Sequence, residues 1–189
     1  MRVSREKFAE NRALILEAAC DLFREKGFDG IGVADIMKAA GLTHGGFYGH
    51  FESKEKLAFE ASRVLVEKTR DRWRQIVETA EGDPLEALLQ HYLSRRNLQS
   101  RACVFASLTQ EVSRQGAGLQ STFSGGLTDL VDVLAEIVAG ETPEARRANA
   151  LATLAAMMGA VILARTMEDG AMADEFLTAT HRQLSRQQV

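Results

Sequence analysis

Proline is almost missing from this 189-residue chain, which has two. Since proline is the residue that most often ends a helix, its scarcity leaves room for long ones. Cysteine is as scarce: Cys20 and Cys103 are too few for a disulfide framework or a thiolate zinc cage. No excess of positive charge exists either. There are 23 Lys and Arg against 26 Asp and Glu, a formal net charge of −3, and residues 1–56 hold nine of each sign. A nucleic-acid site must therefore come from local arrangement of charge and not from a bulk excess. No apolar run is expected to reach membrane-spanning length, and the N-terminus shows no apolar signal core. The expected location is a reducing cytoplasm, with no membrane partner.

What the chain does have is helical periodicity. From Phe8 to Lys26 the apolar residues Ile15, Ala18, Ala19, Leu22 and Phe23 form one stripe, with Ser4 as N-cap and Gly27 as stop. A short helix is predicted from Val33 to Ala40, ended by Gly41. Residues 44–51 contain three glycines and have poor helix propensity. Ser53 caps a pattern running to about Ala80, which as a helix would span roughly 40 Å. Asp83-Pro84-Leu85-Glu86 is a strong helix start, with Glu86 completing a capping box, and that helix is expected to reach about Leu98. Further helices are predicted over about 102–114 and 119–138, the second weakened by Gly125-Gly126. Thr142-Pro143-Glu144 opens a long one to about Met167, apolar nearly all round from Ala150 to Ala164. Gly170 separates it from a last helix over about 172–187. With no period-2 strand pattern, the fold is predicted to be all-α with about nine helices.

Two short helices joined by a glycine turn and preceded by a longer helix are the makings of a helix-turn-helix. Here the turn is Gly41-Leu42-Thr43, and the second short helix is the one that would enter a major groove. Gly45, Gly46 and Gly49 would let its backbone come close to bases or phosphates. Thr43 could cap it, turning its amide N–H groups toward a phosphate. Tyr48, His50 and Lys54 offer donors for phosphate oxygens. The plainer alternative is a three-helix subdomain with a glycine-rich connector in which Phe47 and Phe51 are core.

The stretch Gly-Gly-Phe-Tyr-Gly-His-Phe-Glu-Ser-Lys-Glu-Lys-Leu, residues 45–57, resembles the signature of the TetR family of transcriptional repressors. The spacing from Gly27-Phe28 and from Gly41 matches too, and the likeness covers about the first 60 residues. It implies a helix-turn-helix domain over 1–53 and a larger helical ligand-binding and dimerisation domain over 54–189. It also implies a homodimer on double-stranded operator DNA, released by a small-molecule effector. Tyr48, Thr43 and Lys54 would contact phosphate, and His44, Gly45 and His50 would lie at base or backbone contacts. Two departures stand out: Gly32 occupies a place where the family often has Ser or Thr, and Ala34 one where it often has a basic residue.

The family's larger domain dimerises through its last two helices. Ala152, Ala155, Ala156, Gly159 and Ala160 are small enough for close helix packing, with Leu163 among the residues filling the remaining surface. The alternative is a central helix buried within a monomer. Trp73, Tyr92, Phe105, Leu108, Phe123 and Leu127 are candidates for the ligand pocket, with a place in the core the leading alternative for each. Gln110 and Glu111 could add polar groups to a pocket or lie on the surface. Cys103 resembles a sensing cysteine of one branch of the family. A helix N-terminus and Arg95, Arg96 and Arg101 would favour its thiolate, whereas an inert buried thiol is the competing reading. His91 and His181 lack ligand spacing, and no catalytic or phosphate-binding motif is present, so neither metal nor cofactor is expected. The rival functions are a helical protein-interaction module and an all-α enzyme without a motif.

Overall fold

The structure is a computed structural model that describes residues 4–100 and 103–186. The described residues form ten α-helices and one 3-10 turn, with no strand. The helices are α1 (Arg5–Lys26), α2 (Val33–Ala39), α3 (Phe47–His50), α4 (Lys54–Glu78) and α5 (Pro84–Tyr92). They continue with α6 (Arg95–Ser100), α7 (Val104–Val112), α8 (Ala117–Ala135), α9 (Pro143–Thr166) and α10 (Gly170–Arg186). The 3-10 turn, His44–Gly46, leads directly into α3. The chain divides into two compact units, one of Met1–Val66 with Leu108–Phe123 and the other of Glu67–Ser107 with Ser124–Val189.

In the first unit α1 begins where Ser4 Oγ accepts the Lys7 N–H and ends at Gly27, whose φ of 78° suits glycine. A side chain there would also displace a carboxylate. A Cβ there would stand 2.1 Å from Glu111 Oε1 of α7, and the same carboxylate accepts the Phe28 N–H at 2.7 Å. Glu111, half-buried, thus caps the exit from α1. Gly41, at φ 70°, closes α2 with two backward bonds, Gly41 N–H to Lys38 O and Leu42 N–H to Met37 O. The core is Ile15, Phe23, Ile36, Met37, Phe47 and Leu57, all essentially inaccessible to solvent.

In the second unit the helix expected over 84–98 is two. Leu93 leaves helical geometry, Ser94 Oγ donates to His91 O and accepts the Asn97 N–H, and buried Asn97 donates to Tyr92 O at 2.6 Å. A serine cap and one buried amide satisfy the ends of both pieces, which propensity does not foresee. The Glu86 carboxylate does not close a capping box but accepts bonds from Gln90 and Ser185. Those two bonds come first among the causes that hold its pKa below the ordinary value. α8 runs unbroken through Gly125-Gly126: burial of Phe123, Leu130 and Leu134 on its flanks outweighs a propensity cost of about 1 kcal/mol per glycine. Gly170 opens α10 instead of preceding it. The expected ends at Ala102 and Gln187 lie outside the described residues.

α9 packs along α10, burying Thr153, Leu154, Met157, Val161 and Ala164. Contrary to expectation it is long and apolar enough to cross a membrane, by length and composition. Two features give it another use: one face is inside the fold, and Arg146, Arg147 and Asn149 mark its first turns.

Candidate nucleic-acid interface

Residues 44–50 fold as a 3-10 turn followed by a single α-turn, because three glycines in seven residues cannot sustain a regular helix. Within that turn the aromatics divide sharply. Phe47 and Phe51 are buried and stacked at 6.0 Å, while Tyr48 between them is 69% exposed with its ring edge-on to Phe47 at 5.2 Å. The phenylalanines are therefore core, as the plainer reading held, yet the tyrosine beside them faces out.

Thr43, His44, Gly45 and Gly49 share that exposure, and Lys54 is half-buried at the first position of α4. A Cβ at Gly45 or Gly49 would meet nothing within 4 Å, and one at Gly46 only Met37 Cε at 3.7 Å. Packing within the chain does not require these glycines. The Thr43 side chain makes no capping bond, a correction to the expected cap, and Gly32 caps α2 by backbone alone. The Gly32 N–H donates to Asp35 Oδ2 at 3.0 Å, so an acidic group already occupies one N–H at that helix start. Ser53 does cap α4, accepting the Lys56 N–H at 3.1 Å.

His50 is less open than the other candidates. Its ring lies 4.2 Å from that of Phe8 on α1, and its pKa is lowered by burial and then by Arg12. Arg12 itself sits 4.5 Å over the Phe51 ring and pairs with Glu60 of α4. The roles of Phe8 and Arg12, and the Glu111 bond to Phe28, are not legible in the sequence, since each acts on a partner distant along the chain.

Of the expected ligand and sensor residues, Trp73, Tyr92, Cys103, Phe105, Leu108 and Phe123 are buried, Leu127 is half-buried and Gln110 is exposed. In the second unit Trp73 meets Tyr92 edge-on at 5.5 Å, and the Tyr92 hydroxyl donates to Cys103 Sγ at 3.1 Å. Cys103 is 3% exposed and caps α7, accepting the Ala106 N–H at 3.5 Å. Burial raises its pKa, against smaller opposing effects from Tyr92, the α7 backbone and Arg165. Of the cations expected to lower it, Arg95 and Arg96 are not among the causes. Arg95 is exposed and bonded to Asp174 and Gly170 O, Arg96 is exposed, and Arg101 lies outside the described residues. Arg165 of α9, unforeseen, donates to Ser107 Oγ at 3.1 Å. Phe105 is buried in this unit, and Phe123 is buried in the first.

On α9 the outward face is apolar. Leu151, Ile162 and Leu163 are 42–51% exposed and Met172 of α10 is 45% exposed. Ala152 is exposed, and Ala156 and Gly159 are half-exposed, on the same face. Ala160, expected with them, packs inside its own chain. No group of His, Cys, Asp and Glu able to hold a metal occurs among the described residues.

The sequence model described as "Bacterial regulatory proteins, tetR family" matches residues 15–61. The repressor KstR2 of Mycolicibacterium smegmatis is 36% identical over 80 residues, which is 42% of this chain and 38% of that one. The repressor DhaR of Mycobacterium sp. strain GP1 is 33% identical over 106 residues, 54% of this chain and 52% of that one. The chain thus matches about half or less of these curated relatives' lengths. A solved TetR transcriptional regulator from Chloroflexus aurantiacus superposes with a TM-score of 0.80 at 26% identity, covering 96% of this chain and 98% of that one.

Proposed function

We propose that the chain, whose residues 15–61 match the TetR family of bacterial regulatory proteins and whose fold is that of a TetR regulator, is a cytoplasmic transcriptional repressor. It binds a palindromic operator as a homodimer, is released by a small molecule, and catalyses nothing. The observation that carries this reading is the surface of the 3-10 turn and α3. Tyr48 stands out in water over buried Phe47 and Phe51, and is flanked by glycines that the fold itself does not need. Bare backbone beside an outward hydroxyl suits close approach to a phosphodiester chain. Tyr48, Thr43 and Lys54 take phosphate, while His44, Gly45 and His50 lie toward bases or backbone. Residues 1–53 act as the DNA-reading domain and 54–189 as the domain that dimerises and receives the signal.

The homodimer forms through Ala152, Ala156, Gly159 and Leu163, together with Leu151, Ile162 and Met172; Ala160 supports them from within. Large apolar groups left half in water favour a permanent partner. The effector is received near Trp73, Tyr92 and Phe105, which are buried in the second unit. An electrophile acting at Cys103 has the burial of that thiol against it.

Sequencing the genomic fragments retained by the purified protein tests the function directly. Enrichment of a palindromic duplex, bound with strong salt dependence, is expected. Retention of no preferred sequence would overturn the reading and leave a protein-interaction module.

A further inference from the structure

We propose that Phe8 is a positioning residue for DNA binding, which holds the His50 imidazole as a neutral ring offering Nε2–H outward. This rests on the DNA-binding reading, since it assigns His50 a defined role at the same surface. Phe8 stands seven residues before Ile15, on the stripe that α1 turns to the core, yet it is 42% exposed. It therefore extends the apolar stripe past the edge of the core. The one ring it meets there is His50, 4.2 Å away and inclined by 31°.

Of the two imidazole nitrogens, Nδ1 is buried and makes no hydrogen bond. A proton on Nδ1 would be a buried donor without an acceptor, whereas a proton on Nε2 can be met by water or by DNA. The single proton of the neutral ring therefore belongs on Nε2, the nitrogen that retains access to the surface. Charge facing the ring acts in the same sense. Arg12 of α1 opposes a second cation, and the nearby carboxylate of Glu60 on α4 is engaged with Arg12. α3 itself contributes no charged residue. A neutral N–H donor can meet a phosphate or base acceptor without titrating near neutral pH, so operator affinity does not drift with pH through this residue.

The full-length protein, free of DNA, can be examined by nitrogen-15 NMR of its histidines. For His50 the Nε2–H tautomer and a pKa below the ordinary value are expected. Phe8→Ala should raise that pKa toward the ordinary value, with the Arg12 effect remaining, and Phe8→Tyr, which keeps the ring, should not. A wild-type His50 carrying its proton on Nδ1, or a pKa that Phe8→Ala leaves unmoved, overturns the proposal. A second measurement uses the duplex that the wild-type protein selects from genomic fragments. With Phe8→Ala the salt dependence of binding should steepen by about 0.9 in log–log slope between pH 7.5 and pH 5.5, beyond any change in wild type, as one more phosphate is neutralised. The excess should vanish in Phe8→Ala/His50→Gln. If the wild type selects no duplex, the DNA reading fails and the NMR result still decides the ring pair. If it binds and the variant's slope follows wild type at both pH values, the positioning role fails.

Discussion

On the 3-10 turn and α3, the groups left in water are Thr43, His44, Tyr48 and bare glycine backbone. On α9 and the start of α10 they are Leu151, Ile162, Leu163 and Met172. The first surface is well solvated when empty and loses little by standing open, so a partner bound there can leave. The second loses about 1 kcal/mol for each large side chain half in water, so a partner bound there should stay. On the proposed reading, one chain presents a reversible face for DNA and a permanent one for its partner copy, the division that a releasable dimeric repressor needs.

The largest expected effect comes from breaking the permanent face. A Cβ at Gly159 would meet nothing within 4 Å in the single chain, so Gly159→Ala should leave the fold intact. Gly159→Arg should instead put an unpaired charge into a close helix contact, at a cost of about 3–5 kcal/mol. Sedimentation should show a dimeric wild type and a largely monomeric Gly159→Arg at micromolar concentration, with operator binding lost alongside; Ala156→Arg should behave likewise. A well-folded wild-type monomer at that concentration would refute the interface.

Smaller effects are expected on the reversible face. Lys54→Ala should weaken operator binding about equally for strong and weak sites, and lower the salt slope by about one. Tyr48→Phe should weaken binding by about 1 kcal/mol, the size of one hydrogen bond, without changing that slope. Substitutions at His44 should alter which operators are preferred. Unchanged affinity and salt dependence in Lys54→Ala would remove this face from the DNA.

The two faces were not equally legible in the sequence. The reversible face carries a local signature: glycines, an aromatic pair and Ser53-Lys54-Glu55 lie within a few residues, and helix starts such as Ser4, Asp83 and Thr142 are likewise local and correctly read. The permanent face was legible in composition but not in orientation. Small residues spaced along α9 announced a helix contact, yet an apolar helix does not declare which side meets its own core, and Ala160 fell on the inner side. Partners far apart in sequence were invisible. The Glu111 bond to Phe28 spans 83 positions, and nothing local marks Cys103 as a buried cap or Ser94 as a break between α5 and α6.

Each unit also holds a histidine kept neutral, which sharpens the comparison through pH. His50 in the first and His91 in the second both have pKa values lowered chiefly by burial, with Arg12 bearing on one and Arg72 and Arg96 on the other. In the unfolded chain these groups take up protons near pH 6.5, while in the fold they resist. Their contribution to stability is complete above that value and shrinks as pH falls from it toward the folded pKa. Glu86 and Asp174 add a second loss at lower pH, since their depressed pKa values stabilise the fold only while they are ionised. Thermal unfolding should therefore show midpoints that begin to fall as pH drops below about 6.5, and fall again below about pH 4.5. His91→Gln should flatten the upper fall, and an unchanged profile would mean that His91 titrates normally in the fold.

The smallest effect is expected at Cys103, where the buried interior is set against both open faces. An electrophile sensor needs a thiolate that the reagent can reach. Cys103 is 3% exposed, as is Cys20, and its burial raises the pKa more than Tyr92, the α7 backbone and Arg165 lower it. In the native protein iodoacetamide should label Cys103 no faster than Cys20, with both becoming reactive only on unfolding, as mass spectrometry of quenched samples would show. Cys103→Ser should keep the fold, because a serine oxygen can still accept the Tyr92 O–H and the Ala106 N–H that the sulfur now receives. The cost should be about 1 kcal/mol for the altered size and polarity of one buried group, and effector release should be preserved. Two results together would reverse this: preferential labelling of Cys103 in the folded protein, and loss of operator binding on that modification in wild type but not in Cys103→Ser. They would require the Tyr92–Cys103 contact to open on a timescale that the packed structure does not display, and would make that opening the switch.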